Sequence, residues 1–285
     1  MKKLVILGQG PAGISAALYA VRGGADVTVI AKDFGALAKA DKIENYYGFE
    51  HGIAAKDLIE TGIQQAKNLG VNFIKGEVCG IEFAADGYDV KIADGSTISA
   101  GAIIVAVGTS RNVPAIENIE KFEGKGVSYC AICDGFFFRG KKVAVIGNAA
   151  YALSEYHVLK NIIENVTILT NGAQPTFSDP ACNTKKIQSF QGGDKLEEVV
   201  YADGTRESFD GVFIACGSAG AFELSKKLGM ETANNKIVTD ENRATNIPGI
   251  YAAGDCVKGL QQIAKAVYDG MIAGTQALKY LKNLG

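Results

Sequence analysis

Cys130-Ala131-Ile132-Cys133-Asp134 sets two cysteines two residues apart and follows the second with an acid. Three chemistries use such a pair: a zinc clamp, a structural disulfide, and a dithiol that opens and closes during a reaction. Zinc takes about four ligands. The chain has no second Cys-x-x-Cys, and its 2 histidines, His51 and His157, are not spaced as a pair, so no metal site is expected. The other cysteines, Cys79, Cys182, Cys216 and Cys256, are scattered and do not form a secreted-scaffold spacing. A reducing cytosol disfavours a purely structural disulfide, which leaves a redox-active dithiol. Disulfide exchange needs a thiolate to attack and a proton for the leaving thiolate, so a carboxyl beside the pair is useful as acid and base. Asp134 is the candidate, with a helix cap as its other reading.

A second chemistry lies at the start of the chain. Gly8-Gln9-Gly10-Pro11-Ala12-Gly13 satisfies G-x-G-x-x-G between a β-branched run and a helical pattern. Gly8 allows the tight turn, Gly10 lets backbone amides approach a pyrophosphate, and Gly13 lets helix and strand pack closely. A bound dinucleotide is expected. The acid that would hold its ribose is Asp33 or none, since Asp33 is equally readable as a solvated loop acid.

The elements that position these residues come as a repeat. Residues 2–30 align without gaps on residues 141–169, and each copy reads strand, glycine turn, helix, strand. Two such units predict an α/β fold of two Rossmann-like dinucleotide-binding domains, the second inserted in the first. The periodicity stops at 109–115 and at 241–249, and these segments are expected to be paired hinge strands. The expected domains are 1–112 with 244–285, and 113–243. The last segment, from Gly249, starts as a buried strand, continues as a helix and is expected to complete the first domain.

The second copy departs from the first. Gly147 is kept, but Ala149 and Ala152 replace the second and third glycines, and Tyr151 stands where a small residue is expected. A methyl at 149 pushes a pyrophosphate away from the amides, and Thr170-Asn171-Gly172 offers neither an arginine for a 2′-phosphate nor an acid for a ribose. The fold is expected to persist without its nicotinamide site. Phe136-Phe137-Phe138 reads mostly as core, Tyr46-Tyr47 as turn packing or a stacking surface, and Cys256 as a small buried residue.

Composition sets the boundaries. With 285 residues, 47 % hydrophobic and 21 % charged, the chain is an ordinary globular protein long enough for two cores. A net charge of −2 without a basic cluster gives no reason to expect nucleic acid or anionic membrane as partner. No stretch approaches the about 18 apolar residues of a membrane span. The opening apolar run meets Gly8 too early for a signal-peptide core, so a cytoplasmic location is expected.

Gly8–Gly13, Ile43-Glu44-Asn45, Cys130–Gly135 and Tyr251-Ala252-Ala253-Gly254-Asp255 together resemble the low-molecular-weight, FAD-containing thioredoxin reductases over nearly the whole chain. The resemblance implies FAD held by Gly8, Gly10, Pro11, Ala12, Gly13, Asn45, Asp255 and the helix beginning at Gln262-Ile263. It implies that Cys133 takes electrons from the flavin and that Cys130 attacks the disulfide of a thioredoxin. It also implies a homodimer. NADPH-using members are similar to one another in a Gly-x-Gly-x-x-Ala loop and a His-Arg-Arg segment, both absent here. The pattern is most similar to the ferredoxin-dependent, pyridine-nucleotide-independent branch of anaerobic bacteria, with reduced ferredoxin as donor. An NAD(P)H-dependent thioredoxin reductase and a non-catalytic flavin/dithiol redox sensor are the alternatives.

Overall fold

The computed structural model describes residues 2–108, 114–129, 131–216, 221–234 and 236–284, with residues 39, 132, 133, 222 and 223 described by backbone only. Among the described residues, six α-helices follow one another: α1 (Pro11–Arg22), α2 (Ala55–Asn68), α3 (Ala131–Asp134), α4 (Ala150–Lys160), α5 (Ala221–Leu228) and α6 (Ile263–Asn283). The chain divides into two compact units, residues 1–111 with 220–285, and residues 112–219.

In the first unit, the strands run Ile250–Ala252, Ala102–Val105, Leu4–Leu7, Val27–Ala31, Asn72–Lys75 across a fully parallel sheet. The second unit repeats that plan. Its order is Val127–Ser128, Gly211–Ile214, Lys142–Ile146, Asn165–Leu169, Cys182–Asn183, again all parallel. Each unit adds a small three-stranded antiparallel sheet. The repeated strand–turn–helix–strand pattern therefore folds as two Rossmann-like units, as its periodicity predicts. The central strands Leu4–Leu7, Ala102–Val105 and Gly211–Ile214 are buried at every position, as expected of parallel strands covered on both faces.

Segment 220–243, expected in the insertion, sits in the first unit. Ile237 bridges Val257, and the Lys227 Nζ donates to the Cys79 carbonyl at 3.2 Å. The expected hinge pair also differs. Residues 109–113 lie outside the described residues, and 241–249 fold back on the strand that follows: Ala252 N donates to Arg243 O at 3.0 Å and Thr245 N to Ile250 O at 3.0 Å. Its Pro248 and Gly249 marked a tight return rather than a strand.

Helices α1 and α6 set the floor of the first unit, and they touch backbone to backbone. Ala12, Ala16 and Ala20 of α1 are buried, and a Cβ built on Gly270 or Gly274 of α6 would stand 2.1 Å from Ala12 O or 2.3 Å from Ala16 O. Only residues without a side chain permit that approach. Gly274→Ala should therefore force the helices apart and cost about 1–3 kcal/mol, read as a lower thermal unfolding midpoint; an unchanged midpoint would mean that the helix pair has slack.

Candidate active site

The first glycine turn leaves strand Leu4–Leu7 with Gly8 at φ +104°, a conformation that disfavours a side chain. A Cβ on Gly8 would lie 2.4 Å from Ala106 O, and one on Gly13 would lie 2.0 Å from Gly8 O, so both glycines are required by close backbone approach. Gly10 differs, because a Cβ there would meet nothing within 4 Å. Open space thus stands over the start of α1, where Gly10 is the N-cap and Pro11 the first helical residue. The Ala12 and Gly13 amides have no carbonyl behind them in the helix and face a positive dipole end. A pyrophosphate fits this cradle. Beyond it, Asp33 Oδ1 accepts the Gly35 amide at 2.8 Å and shapes its own loop.

The C-terminal residues are held by an acid that motif reading passed over. Asp269, on α6, is 0 % exposed. Its Oδ1 meets Arg243 Nε at 2.9 Å, and its Oδ2 meets Lys265 Nζ at 2.7 Å and accepts the Gly254 amide at 3.1 Å. Lys265 Nζ also donates to Gly254 O at 2.7 Å, and Lys236 Nζ donates to Asp255 O. The Gly254-Asp255 turn is therefore fixed from both sides, with the Asp255 side chain half-buried. Gln262 is the N-cap of α6 and Ile263 its first residue. Asn45 Nδ2 donates to Gln262 Oε1 at 3.0 Å, joining two of the expected cofactor residues that are 217 positions apart. The available signal was an acid on the apolar stripe of α6, between Ala266 and Ala273, with a lysine one turn before it.

The second glycine turn keeps the framework of the first. A Cβ on Gly147 would lie 2.2 Å from Ala215 O, as one on Gly8 would from Ala106 O. The equivalent of Gly13 is Ala152, whose methyl would lie 2.8 Å from that Cβ, so Gly147 is enclosed from the helix side as well. Tyr151 is buried. The turn is stitched to the segment that follows its sheet: Asn148 Nδ2 donates to Gln174 O at 3.0 Å, and Thr176 N to Asn148 O at 2.9 Å. Thr170 Oγ1 donates to Ala173 O at 2.6 Å, and Asn171 Oδ1 accepts the Ile187 amide at 2.8 Å. Polar groups where a nucleotide ribose would bind are thus used within the chain.

Of the dithiol, Cys130 and the Cys133 side chain lie outside the described residues. Around them, Asp134 Oδ2 accepts the Ser128 hydroxyl at 2.7 Å, and no side-chain cap bond from Asp134 to the following turn is found. Phe136 and Phe137 correct the expectation of a packed core, being 65 % and 71 % exposed; only Phe138 packs, edge-on to Phe213 at 5.5 Å between ring centroids. Two of three apolar residues in a short turn face outward because a one-turn 3-10 helix has too little length to bury all three. Tyr47 is 97 % exposed, while Tyr46 stacks on Phe49 at 6.2 Å. Cys256 is buried, contacts the Val105 and Ala253 carbonyls at 3.3 and 3.2 Å, and burial pushes its thiol up to about 12. Burial likewise pushes Cys216 up to about 11, so neither is poised as a nucleophile. Among the described residues no cluster of metal ligands occurs, and no helix is long and apolar enough to cross a membrane.

Asp269→Ala leaves two cations facing an emptied site and should cost about 3–5 kcal/mol in chemical denaturation. Lys265→Met should cost less, because Arg243 and the Gly254 amide still meet the carboxylate; equal losses would contradict the shared role of the acid.

The sequence profile described as pyridine nucleotide-disulphide oxidoreductase matches residues 2–270. A thioredoxin reductase of Listeria innocua is 34 % identical over 99 % of this chain and 94 % of its own. The atypical thioredoxin reductase TRi of Desulfovibrio vulgaris Hildenborough is 37 % identical, covers 99 % of both chains and superposes with a TM-score of 0.92. A ferredoxin-flavin thioredoxin reductase of Clostridium acetobutylicum is 27 % identical over 99 % of this chain and 98 % of its own, with a TM-score of 0.71. With a fitting dinucleotide cradle and these relatives along its whole length, the chain belongs to the pyridine nucleotide-disulphide oxidoreductase family, as a thioredoxin reductase-like flavoprotein whose cofactor is FAD.

Proposed function

We propose that this thioredoxin reductase-like flavoenzyme reduces thioredoxin disulfide with electrons from reduced ferredoxin, through FAD and the Cys130/Cys133 dithiol, as a cytoplasmic homodimer. The observation that carries the choice of donor is the stitched second glycine turn, in which Asn148, Thr170, Asn171 and Thr176 spend their polar groups on the chain itself. The ferredoxin-flavin relative of C. acetobutylicum, aligned over 99 % of this chain, also supports it. A nicotinamide donor is the second reading, favoured by a family profile that spans the second copy as well as the first.

In this proposal the unit of residues 1–111 with 220–285 holds FAD. Ala12 and Gly13 amides meet the pyrophosphate at the open face of Gly10, with Gly8, Pro11 and Gly13 shaping that cradle. Asp255 accepts from a ribityl hydroxyl, and Asn45, Gln262 and Ile263 border the flavin. When bound, FAD supplies the two electrons that open the Cys130–Cys133 disulfide. Cys133 is the sulfur that receives them, which frees Cys130 as thiolate. The Cys130 sulfur then attacks the thioredoxin disulfide, forming a mixed disulfide and expelling one thioredoxin thiolate. Asp134, oriented by Ser128, gives that thiolate its proton. Cys133 next attacks Cys130, reforming the internal disulfide and releasing the second thiolate, which takes its proton from solvent as Asp134 also regains its own, so thioredoxin gains two electrons and two protons.

Cys130→Ser should leave the Cys133 thiolate against the flavin and give a long-wavelength absorption band, whereas Cys133→Ser should keep FAD and abolish dithiol reduction. Bands in the opposite variants would reverse the roles. Titration with NADPH or NADH to millimolar concentration should give no saturable heat, and anaerobic stopped flow should show no bleaching of the flavin at a catalytic rate. Reduced ferredoxin should sustain thioredoxin reduction. A micromolar Kd with rapid bleaching would transfer the assignment to the nicotinamide reading.

A further inference from the structure

Helix α4 carries a carboxylate that the chemistry above does not use. Glu155 is 1 % exposed and stands one turn from Tyr151 on one side and from Leu159 on the other, so the three share a buried face. An acid on such a face is costly unless it is met by donors. Its Oε2 accepts the Ala131 amide at 3.0 Å. Ala131 is the residue after Cys130, the first of α3, and one of the orphan amides of that helix. Leu159 supports the same segment farther along, because a Cβ on Gly135 would lie 3.0 Å from its Cδ2. The Cys-x-x-Cys-Asp-Gly stretch thus rests on α4 at two points, one polar and one apolar.

An ordinary helix cap comes from the residue just before the helix. This acceptor comes from 24 residues away, and its donor belongs to a residue that lies between Cys130 and Cys133 in the sequence. While the disulfide is closed, the covalent ring holds the turn. Once it opens, the bond to Glu155 restrains the backbone between the cysteines. Resolution of a mixed disulfide is an intramolecular attack, and such attacks are faster the better the nucleophile is held in place.

Resting on the dithiol role proposed above, we infer that Glu155 is a positioning residue for disulfide exchange: its carboxylate holds the Ala131 amide so that Cys133 stays placed to attack the Cys130–thioredoxin mixed disulfide. In that step the Cys133–Cys130 bond forms, the bond from Cys130 to thioredoxin breaks, and the departing thiolate takes a proton.

The test compares holoenzymes carrying Glu155→Gln, which keeps an acceptor oxygen, and Glu155→Met, which keeps volume without one. Glu155→Met should lower kcat for thioredoxin by about tenfold or more, with KM falling alongside it and FAD content unchanged. Acid quenching followed by mass analysis should then find the mixed disulfide on Cys130 accumulating. Glu155→Gln should restore kcat to within about twofold of wild type. Wild-type turnover in Glu155→Met, or an equal loss in Glu155→Gln, overturns the proposal. Should Glu155→Met not fold, Ala131→Pro removes the donor at a first helical position that tolerates proline. It should accumulate the same mixed disulfide, and rapid resolution in that variant overturns the proposal equally. Wild-type enzyme that, on reduction, yields no new alkylatable thiols at Cys130 and Cys133 would overturn the dithiol role itself and the inference with it, a failure visible before any substitution is made.

Discussion

A fully buried carboxylate governs the first unit. Asp269 ties Arg243, Lys265 and the Gly254 amide to one point on α6. The next residue on that helix, Gly270, lies against the backbone of α1. The start of α1, the turn at Gly254-Asp255 and the N-cap of α6 are therefore placed by one local arrangement. Burying an ion cluster is poor value as stability alone, since a well-packed apolar cluster serves as well. Its use here is geometric, because an apolar residue at 269 would fix neither the Gly254 amide nor the lysine that meets its carbonyl.

The two units show the same plan put to different uses. Both run five parallel strands in an equivalent order, and both close their glycine turn on the carbonyl of an alanine, Ala106 or Ala215. In the first unit the helix presses against the turn through Gly13 and leaves amides open at its end. In the second, Ala152 stands where the first has Gly13, and the turn binds its own chain. Helix α4 also supports the cysteine segment through Glu155 and Leu159.

Much of this was legible from local patterns. The repeated unit, the first glycine turn and its altered copy each depend on residues close in sequence, where spacing maps directly onto geometry. Cys256 was legible too, because a small apolar-leaning residue after a buried strand has few other environments. What escaped depends on partners far away. Nothing near Glu155 announces an amide at 131, and Asp269 gains its meaning only when Arg243 and Gly254 arrive beside it. The phenylalanines after the dithiol misled for a related reason: hydrophobicity states a preference for burial, while the short turn at 135–138 decides how many side chains obtain it. Segment 220–243 misled because domain membership follows contacts, and its contacts are with residues 79, 255 and 257.

The second glycine turn also bears on how such a protein changes over generations. Its departures are independent of one another: a methyl at 149, a turn at 170–173 bonded to itself, and a segment at 174–176 laced to Asn148. On the proposed ferredoxin reading, reversing any one of them leaves the others in place, so no single substitution restores nicotinamide binding for selection to favour, and the altered turn acts as a ratchet.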